Sequence, residues 1–332
     1  MDRVLVTGGA GYIGAHVCLA LAEAGFLPVV YDDLSQGHAA FVQWGPLEQG
    51  DIRDAARLDE AIARHRPVSV LHLAGLIAVS ASCQDPGPYF AVNVVGALTL
   101  IEAARRGGVE TLVFSSTCAI YGDPASLPID ETQAHAPFSP YGRSKLMVEQ
   151  ALADYSRHLG LHSVCLRYFN AAGADPQGRI GERHKPETHA IPLAIQAAQG
   201  QRASFSIFGA DYDTPDGTAV RDYVHVLDLA EAHVRALRYL LGGGETLALN
   251  LGAGRGVSVR DLITAIERIA GAPFVVKTAP RRAGDAPSLI ADIAKARAVL
   301  GWAPTRGLDD IIASAWAWHA AEATRSAPLA AE

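Results

Sequence analysis

Tyr141 stands four residues before Lys145 in the run Ser139-Pro140-Tyr141-Gly142-Arg143-Ser144-Lys145. On a helix that spacing is one turn, so a phenol and an ammonium share a face, and a nearby cation favours the phenolate. An ordinary phenol titrates near 10, so a base populated at neutral pH needs a shift of roughly three units, or about 4 kcal/mol. The chain also begins with Gly8-Gly9-Ala10-Gly11-Tyr12-Ile13-Gly14, a glycine-rich turn that can hold a dinucleotide pyrophosphate. A nicotinamide cofactor beside an activated tyrosine does hydride chemistry on an alcohol or ketone. The plain alternative for the pair is an exposed helix on which Lys145 is merely solvated.

These groups need elements to position them. Residues 4–6 read as a short buried strand and residues 12–24 as an apolar helix stopped by Gly25. A second strand at 29–31 ends at Asp32 and Asp33, where an acid can accept hydrogen bonds from an adenosine ribose, so Asp32 favours NAD over NADP. The alternation continues with strands at 68–73, 111–115 and 163–167, each preceded by a helix-like stretch. That pattern predicts an α/β fold with a doubly wound parallel sheet. Ligands of such sheets bind beyond the carboxyl ends of the strands, where Gly8 to Gly14, Asp32, Ala74-Gly75, Ser115-Ser116-Thr117 and Tyr168-Phe169-Asn170 all fall. After Asn170 a Gly/Pro/His-rich loop at 171–188 suggests that the chain leaves the sheet for a second, smaller α/β lobe, and 220–240 reads as strand and helix again. The expected division is interleaved: 1–168 with about 216–250 for the dinucleotide, and about 169–215 with 251–332 for the substrate.

Composition narrows the function classes. A net charge of −7, with positive charge spread along 332 residues, offers no electrostatic footprint for nucleic acid or anionic membrane. Small-molecule partners are expected. Cys18, Cys83, Cys118 and Cys165 are far apart, lack a C-x-x-C spacing and sit in mostly apolar segments, so reduced core thiols are expected. No apolar stretch reads as long enough for a membrane span, and the start runs directly into a strand, so a soluble, unprocessed, cytoplasmic protein is expected. His and Glu recur within residues 182–189, but Arg183 and Lys185 are interleaved, and no metal is expected.

The glycine run, Ser115-Ser116-Thr117, the Tyr141 to Lys145 segment, Leu166-Arg167-Tyr168-Phe169-Asn170, Val220-Arg221-Asp222-Tyr223-Val224-His225-Val226 and Ala279-Pro280-Arg281-Arg282-Ala283-Gly284-Asp285 occur in one order along nearly the whole chain. In that order they resemble the extended short-chain dehydrogenase/reductase superfamily, and within it the UDP-glucose 4-epimerase family. The resemblance implies that Tyr141 removes the proton of a sugar 4-hydroxyl while NAD takes the hydrogen at carbon 4. A 4-keto sugar then turns over and is reduced on its other face. Thr117 would hydrogen-bond that hydroxyl and help shuttle its proton, which a hydroxyl can do because it both donates and accepts; taken alone, Thr117 also reads as a strand-end cap. On the cofactor side the resemblance implies contacts from Gly8, Gly11, Tyr12, Ile13, Gly14, Asp32, Asp33, Leu34, Ser35, Gln36, Gly37, Asp51, Ile52, Leu73, Ala74, Gly75, Ile77, Asn93, Tyr141, Lys145 and Phe169. On the UDP-sugar side it implies Thr117, Tyr141, Asn170, His189, Ala190, Ser206, Ile207, Phe208, Arg221, Arg282, Asp285 and Leu289. Arg221 and Arg282 would hold the diphosphate, and Phe208 would form an aromatic wall for uracil, although core packing and solvated surface are the ordinary roles of such residues.

Two residues depart from the pattern. Asp33 stands where asparagine is often found, and Ile77 stands where the best-known members carry a lysine near the cofactor phosphates; losing that cation would weaken NAD retention. Nucleotide-sugar dehydratases typically place an Asp-Glu pair after the hydroxyl residue, whereas Cys118 and Ala119 follow Thr117 here, which disfavours dehydration. A non-catalytic NAD or nucleotide-sugar sensor is the reading from a different class, and the intact Thr117, Tyr141 and Lys145 argue against it. Leu289 lies where the family pocket meets the carbon-2 substituent. A side chain of that size points to UDP-glucose and UDP-galactose as the main pair, with UDP-xylose and UDP-arabinose as the rival and N-acetylhexosamines weaker. The superfamily pattern also implies a homodimer through helices at 93–105 and 141–159.

Overall fold

The computed structural model describes residues 1–282 and 285–326; Ala283 and Gly284 of the late motif, and residues 327–332 of the expected substrate lobe, lie outside the described residues. The strands are β1 (Arg3–Thr7), β2 (Leu27–Asp32), β3 (Leu47–Gln49), β4 (Ser69–His72), β5 (Thr111–Thr117), β6 (His162–Tyr168), β7 (Asn170–Ala172), β8 (Phe205–Phe208), β9 (Val220–Arg221), β10 (Tyr223–His225), β11 (Leu247–Leu251), β12 (Val257–Ser258), β13 (Val276–Ala279) and β14 (Ser288–Leu289). The helices are α1 (Tyr12–Glu23), α2 (Ala55–His65), α3 (Val79–Gln84), α4 (Gly87–Tyr89), α5 (Ala97–Arg106), α6 (Pro140–Leu159), α7 (Ala190–Ala198), α8 (Val226–Leu241), α9 (Val259–Ala270), α10 (Ala294–Leu300) and α11 (Leu308–Ser326).

Seven strands form one sheet in the order β11-β6-β5-β4-β1-β2-β3, parallel throughout. Its strands are apolar on both faces because helices cover both. In β1, Val4 and Val6 pack into the core beneath α1 and α8, while Leu5 faces the opposite core with residues of α2, α5 and α6. The doubly wound fold read from the sequence is the fold observed. The expected strand at 68–73 is shorter, Ser69–His72, while β3 and β11 at the two sheet edges were not anticipated. Three- to five-residue strands in loop-like sequence carry too little periodicity to be read.

Beyond Tyr168 the chain leaves the sheet. It returns through α8, which packs on α1, and through β11. β7 pairs with β10, β9 with β12 and β14, and β8 with β13, and a third core joins α7, α9 and α11. Residues Ala291 to Trp302, including α10, pack into the core shared with α8 and β11.

Two expectations need correction. Cys18, Cys118 and Cys165 are buried free thiols, but Cys83 is exposed, because the short helix α3 lies on the surface. The continuous helical run Gly87–Arg106 is 20 residues and, by length and composition alone, long and apolar enough to cross a membrane. Part of it is buried in the protein instead, with Leu100, Ile101, Ala103 and Ala104 fully enclosed under the sheet.

Candidate active site

The glycine turn shows why only glycine fits it. Gly8 has φ +73°, and a Cβ there would stand 2.6 Å from the Ala74 nitrogen; a Cβ on Gly14 would stand 2.0 Å from the Gly8 carbonyl oxygen. Gly11 caps α1 without any side chain, so the first amides of that helix remain available to an anion. Tyr12 and Ile13 open the helix, and the Tyr12 hydroxyl donates to the Gly173 carbonyl at 2.6 Å. At the end of β2 the buried Asp32 accepts from the amides of Ala10 (3.0 Å) and Leu34 (2.9 Å). Burial raises its carboxyl above the usual range while those two amides pull it back. Leu34 takes φ +62°, Asp33 folds back onto the Ser35 amide at 2.8 Å, Ser35 and Gln36 are exposed, and a Cβ on Gly37 would press on Asp32 at 2.7 Å. A glycine cradle, uncapped amides and an adjacent buried acid fit a dinucleotide.

The next two strand ends complete that edge. Asp51 is bridged by Arg53 at 2.5 Å, and Ile52 is buried against Gly96. Leu73, Ala74 and Gly75 follow β4. Asn93 sits on a π-helical turn, Phe90–Gly96, which aims its amide inward: Oδ1 accepts from the Leu76 amide (2.8 Å), and Nδ2 donates to the Leu76 carbonyl (3.0 Å) and Ser144 Oγ (3.1 Å). Ile77 is 47% exposed and supplies no charge.

Helix α6 carries the Tyr and Lys. Ser139 caps it by accepting from the Gly142 amide at 3.1 Å, Pro140 presets its first turn, and Gly160 ends it at φ +71°. Both Tyr141 and Lys145 are buried on the sheet-facing side. Lys145 Nζ donates to the Ser115 carbonyl at 3.0 Å, lies 4.9 Å above the Phe114 ring, and stands 3.6 Å from where a Cβ on Gly75 would be. Burial lowers it to about 8. The shared helix face is therefore present, yet the ammonium is aimed at the ends of β4 and β5, because a buried cation needs an acceptor. The phenol of Tyr141 is pushed up by burial and by Tyr168, and pulled down by a hydrogen bond with Thr117. Thr117 Oγ1 also accepts from the Ala119 amide at 3.1 Å. Its lone pair caps the strand end, which leaves its hydrogen free for the phenol. The cap expected of a strand-end threonine is present.

Phe169 and Asn170 follow β6, with the Asn170 amide on the Asp222 carbonyl at 3.0 Å. Arg221 on β9 lies opposite Leu289 on β14. Its Nη1 donates to the carbonyls of Val220 and Ala286, each at 2.9 Å, and its Nη2 is 3.8 Å from Asp285. In β8, Ile207 points into the core whereas Ser206 and Phe208 are half-buried, and the Arg282 guanidinium covers one face of Phe208 at 3.8 Å. His189 caps the start of α7 ahead of Ala190, and its Nδ1 contacts Glu182.

In the sequence, Ser115 and Tyr168 fall at the expected ligand edge without a role of their own, and Ser82 and Ser144 carry none. Ser115, Ser144 and Ser82 hold Lys145, Asn93 and the Tyr141 amide respectively, and burial pushes Tyr168 up to about 12. Tyr168 was visible as the end of a strand motif, but a serine hydroxyl far away in sequence carries no local signal.

The chain is similar to known proteins along most of its length. The profile of the NAD dependent epimerase/dehydratase family matches residues 4–252. A UDP-glucose 4-epimerase of Rhizobium leguminosarum bv. trifolii is 59% identical over 319 residues, 96% of this chain and 98% of that one. The crystal structure of UDP-glucose 4-epimerase from Brucella ovis in complex with NAD superposes with a TM-score of 0.93 at 48% identity, covering 96% of this chain and 98% of that one. A UDP-glucose-4-epimerase from Stenotrophomonas maltophila with bound NAD and formylated UDP-arabinopyranose gives 0.95 at 40% identity, over 98% of this chain and all (100%) of that one. With a matched profile across three quarters of its length and relatives of that identity, the chain belongs to the NAD dependent epimerase/dehydratase family.

Proposed function

We propose that this chain is an NAD-dependent isomerase that inverts carbon 4 of a UDP-sugar through a transient 4-keto sugar, with UDP-glucose and UDP-galactose as its main pair. The observation that carries this reading is the pair of buried side chains Tyr141 and Lys145 on one face of α6, with Lys145 fixed on the Ser115 carbonyl of β5, the strand that ends in Thr117, in a chain whose β1–α1 turn is a glycine cradle that fits a dinucleotide. NAD, when bound, supplies an acceptor for the hydrogen at carbon 4 and returns it without net oxidation. Tyr141 takes the proton of the 4-hydroxyl and gives one back; Thr117 donates to the phenol oxygen and so favours its basic form. Lys145 places a positive charge at the ends of β4 and β5, where it stabilises negative charge on that side of the site.

Arg221, Arg282, Asn170, Asp285, Ser206 and Phe208 are assigned to the UDP half, which stays fixed while the sugar swings. Binding energy from the unreacting nucleotide serves that purpose. His189 and Ala190 are placed along the nucleotide, and Leu289 beside carbon 2. The pentose pair UDP-xylose and UDP-arabinose is the second reading, favoured by the likeness to the relative solved with a UDP-arabinopyranose derivative. We assign 1–168 and about 216–250 to NAD, and about 169–215 and 251–332 to the UDP-sugar. A cytoplasmic homodimer is proposed through the run Gly87–Arg106 and α6, which pack together and leave Val95 (55%) and Met147 (43%) exposed.

Proton NMR tests the activity: UDP-galactose, UDP-N-acetylgalactosamine and UDP-arabinose are incubated separately with purified protein and no added NAD, beside a Tyr141→Phe control. The 4-epimer of UDP-galactose is expected to form fastest. Silence with all three, persisting after NAD is added, would overturn the proposal and favour the sensor reading.

A further inference from the structure

We propose that Glu182, His184, Glu187 and His189 bind a transition-metal dication of the zinc class. The four side chains leave the segment between β7 and α7 in the order acid, imidazole, acid, imidazole, and one ligand atom from each lies within 4.8 Å of all the others. In the sequence this loop is a poor metal motif because two cations interrupt it. Folding removes both. Arg183 Nε donates to Glu322 at 2.6 Å, and its guanidinium lies over the rings of Phe41 (5.0 Å) and Trp318 (5.6 Å), while Lys185 is exposed.

The donors are held from behind, as metal ligands usually are. The Glu182 side chain is only 4% exposed, and its backbone carbonyl accepts from Trp318 Nε1 at 2.9 Å. Its Oε1 contacts His189 Nδ1 and lies 3.3 Å from His184 Nδ1. Glu187 Oε1 accepts from the amides of Thr188 (2.8 Å) and His189 (2.9 Å) and stands 3.7 Å from His184 Nδ1.

A second observation bears on the same groups. His184 Nδ1 faces both carboxylates, 3.3 Å from Glu182 and 3.7 Å from Glu187, without a well-formed hydrogen bond to either, and Nε2 of the buried His319 on α11 has no hydrogen-bond partner among the described residues. Buried polar atoms without partners are uncommon and call for an ion or a water. Two buried carboxylates, with side chains 4% and 8% exposed, need positive charge beside them. Imidazolium protons could supply it, but a dication satisfies all four groups through their lone pairs. Two nitrogen donors favour zinc-class ions over magnesium and calcium, which take oxygen ligands.

The location gives the ion a bracing role. The His184 ring stands edge-on to Tyr12, 6.3 Å away, at the start of α1, and His38 Nε2 is 2.9 Å from the Arg183 carbonyl, joining this loop to the segment after Asp32. A four-donor set is closed, so the ion fixes the loop beside the cofactor turn and performs no chemistry.

The test reads metal directly and needs no turnover. Protein stripped with chelator is titrated with Co2+, Zn2+, Mg2+ and Ca2+, and metal content is measured by plasma mass spectrometry. One equivalent of Zn2+ or Co2+ per chain is expected, with the visible d–d bands of four-coordinate Co2+. His184→Ala and Glu187→Gln should each bind Co2+ at least tenfold more weakly while keeping the wild-type circular dichroism. Glu187→Gln is nearly isosteric and carries the test if His184→Ala does not fold. Wild type that binds Co2+ no better than Glu187→Gln, or that prefers Mg2+ or Ca2+, overturns the proposal.

Discussion

Burial first, and then Tyr168, drive Tyr141 away from being a base, while the Thr117 hydroxyl draws its phenol back down. Replacing Tyr141 with Phe should therefore cut kcat by about 10²–10⁴-fold with little change in KM, the range of a lost acid–base group. Thr117→Val should cost less, about 10–100-fold, and Thr117→Ser should restore most of it, because a serine hydroxyl can accept from Ala119 and donate to the phenol. Steady-state rates on UDP-galactose check all three. Lys145, lowered to about 8 by burial, is charged below that pH and neutral above it. The sign follows: kcat/KM should fall as pH rises through about 8, and Lys145→Met should lower the plateau and abolish that limb. A rate profile between pH 6 and 10 reads both.

At the scale of elements, the site is a product of how strands meet helices. The β1–α1 turn folds so tightly that a methyl on Gly14 would sit inside contact distance of the Gly8 carbonyl. Gly14→Ala is expected to destabilise by about 1–3 kcal/mol, as overpacking does, and to leave less than about a tenth of the co-purified NAD. Thermal melting and acid release of the nucleotide measure the two effects. The π-helical turn at Phe90–Gly96 is the other positioning device, since it sets the Asn93 amide between Leu76 and Ser144 and so ties the β4 end to α6.

At the scale of the molecule, the run Gly87–Arg106 and α6 form one surface with exposed apolar side chains that a monomer would leave in water. Met147→Glu should shift the protein from dimer to monomer at micromolar concentration by placing two charges near the proposed two-fold axis. Sedimentation velocity decides it, and wild type that sediments only as a monomer would remove the dimer.

Much of this was legible in the chain. Glycines where no Cβ fits, an acid at the end of β2, and a Tyr–Lys spacing of one turn are local features, and periodicity alone yields the parallel sheet. The direction of Lys145, the covering of Phe208 by Arg282 and the exposure of Cys83 were not legible, because each depends on which distant atoms lie within reach. The loop 182–189 shows the difference most plainly. Its sequence alternates donors with cations and argues against a metal, whereas tertiary packing draws Arg183 away to Glu322 and gathers the four donors. Residue types set which chemistries are available; packing decides which side chains meet, because hydrogen bonds and coordination act only over a few ångströms.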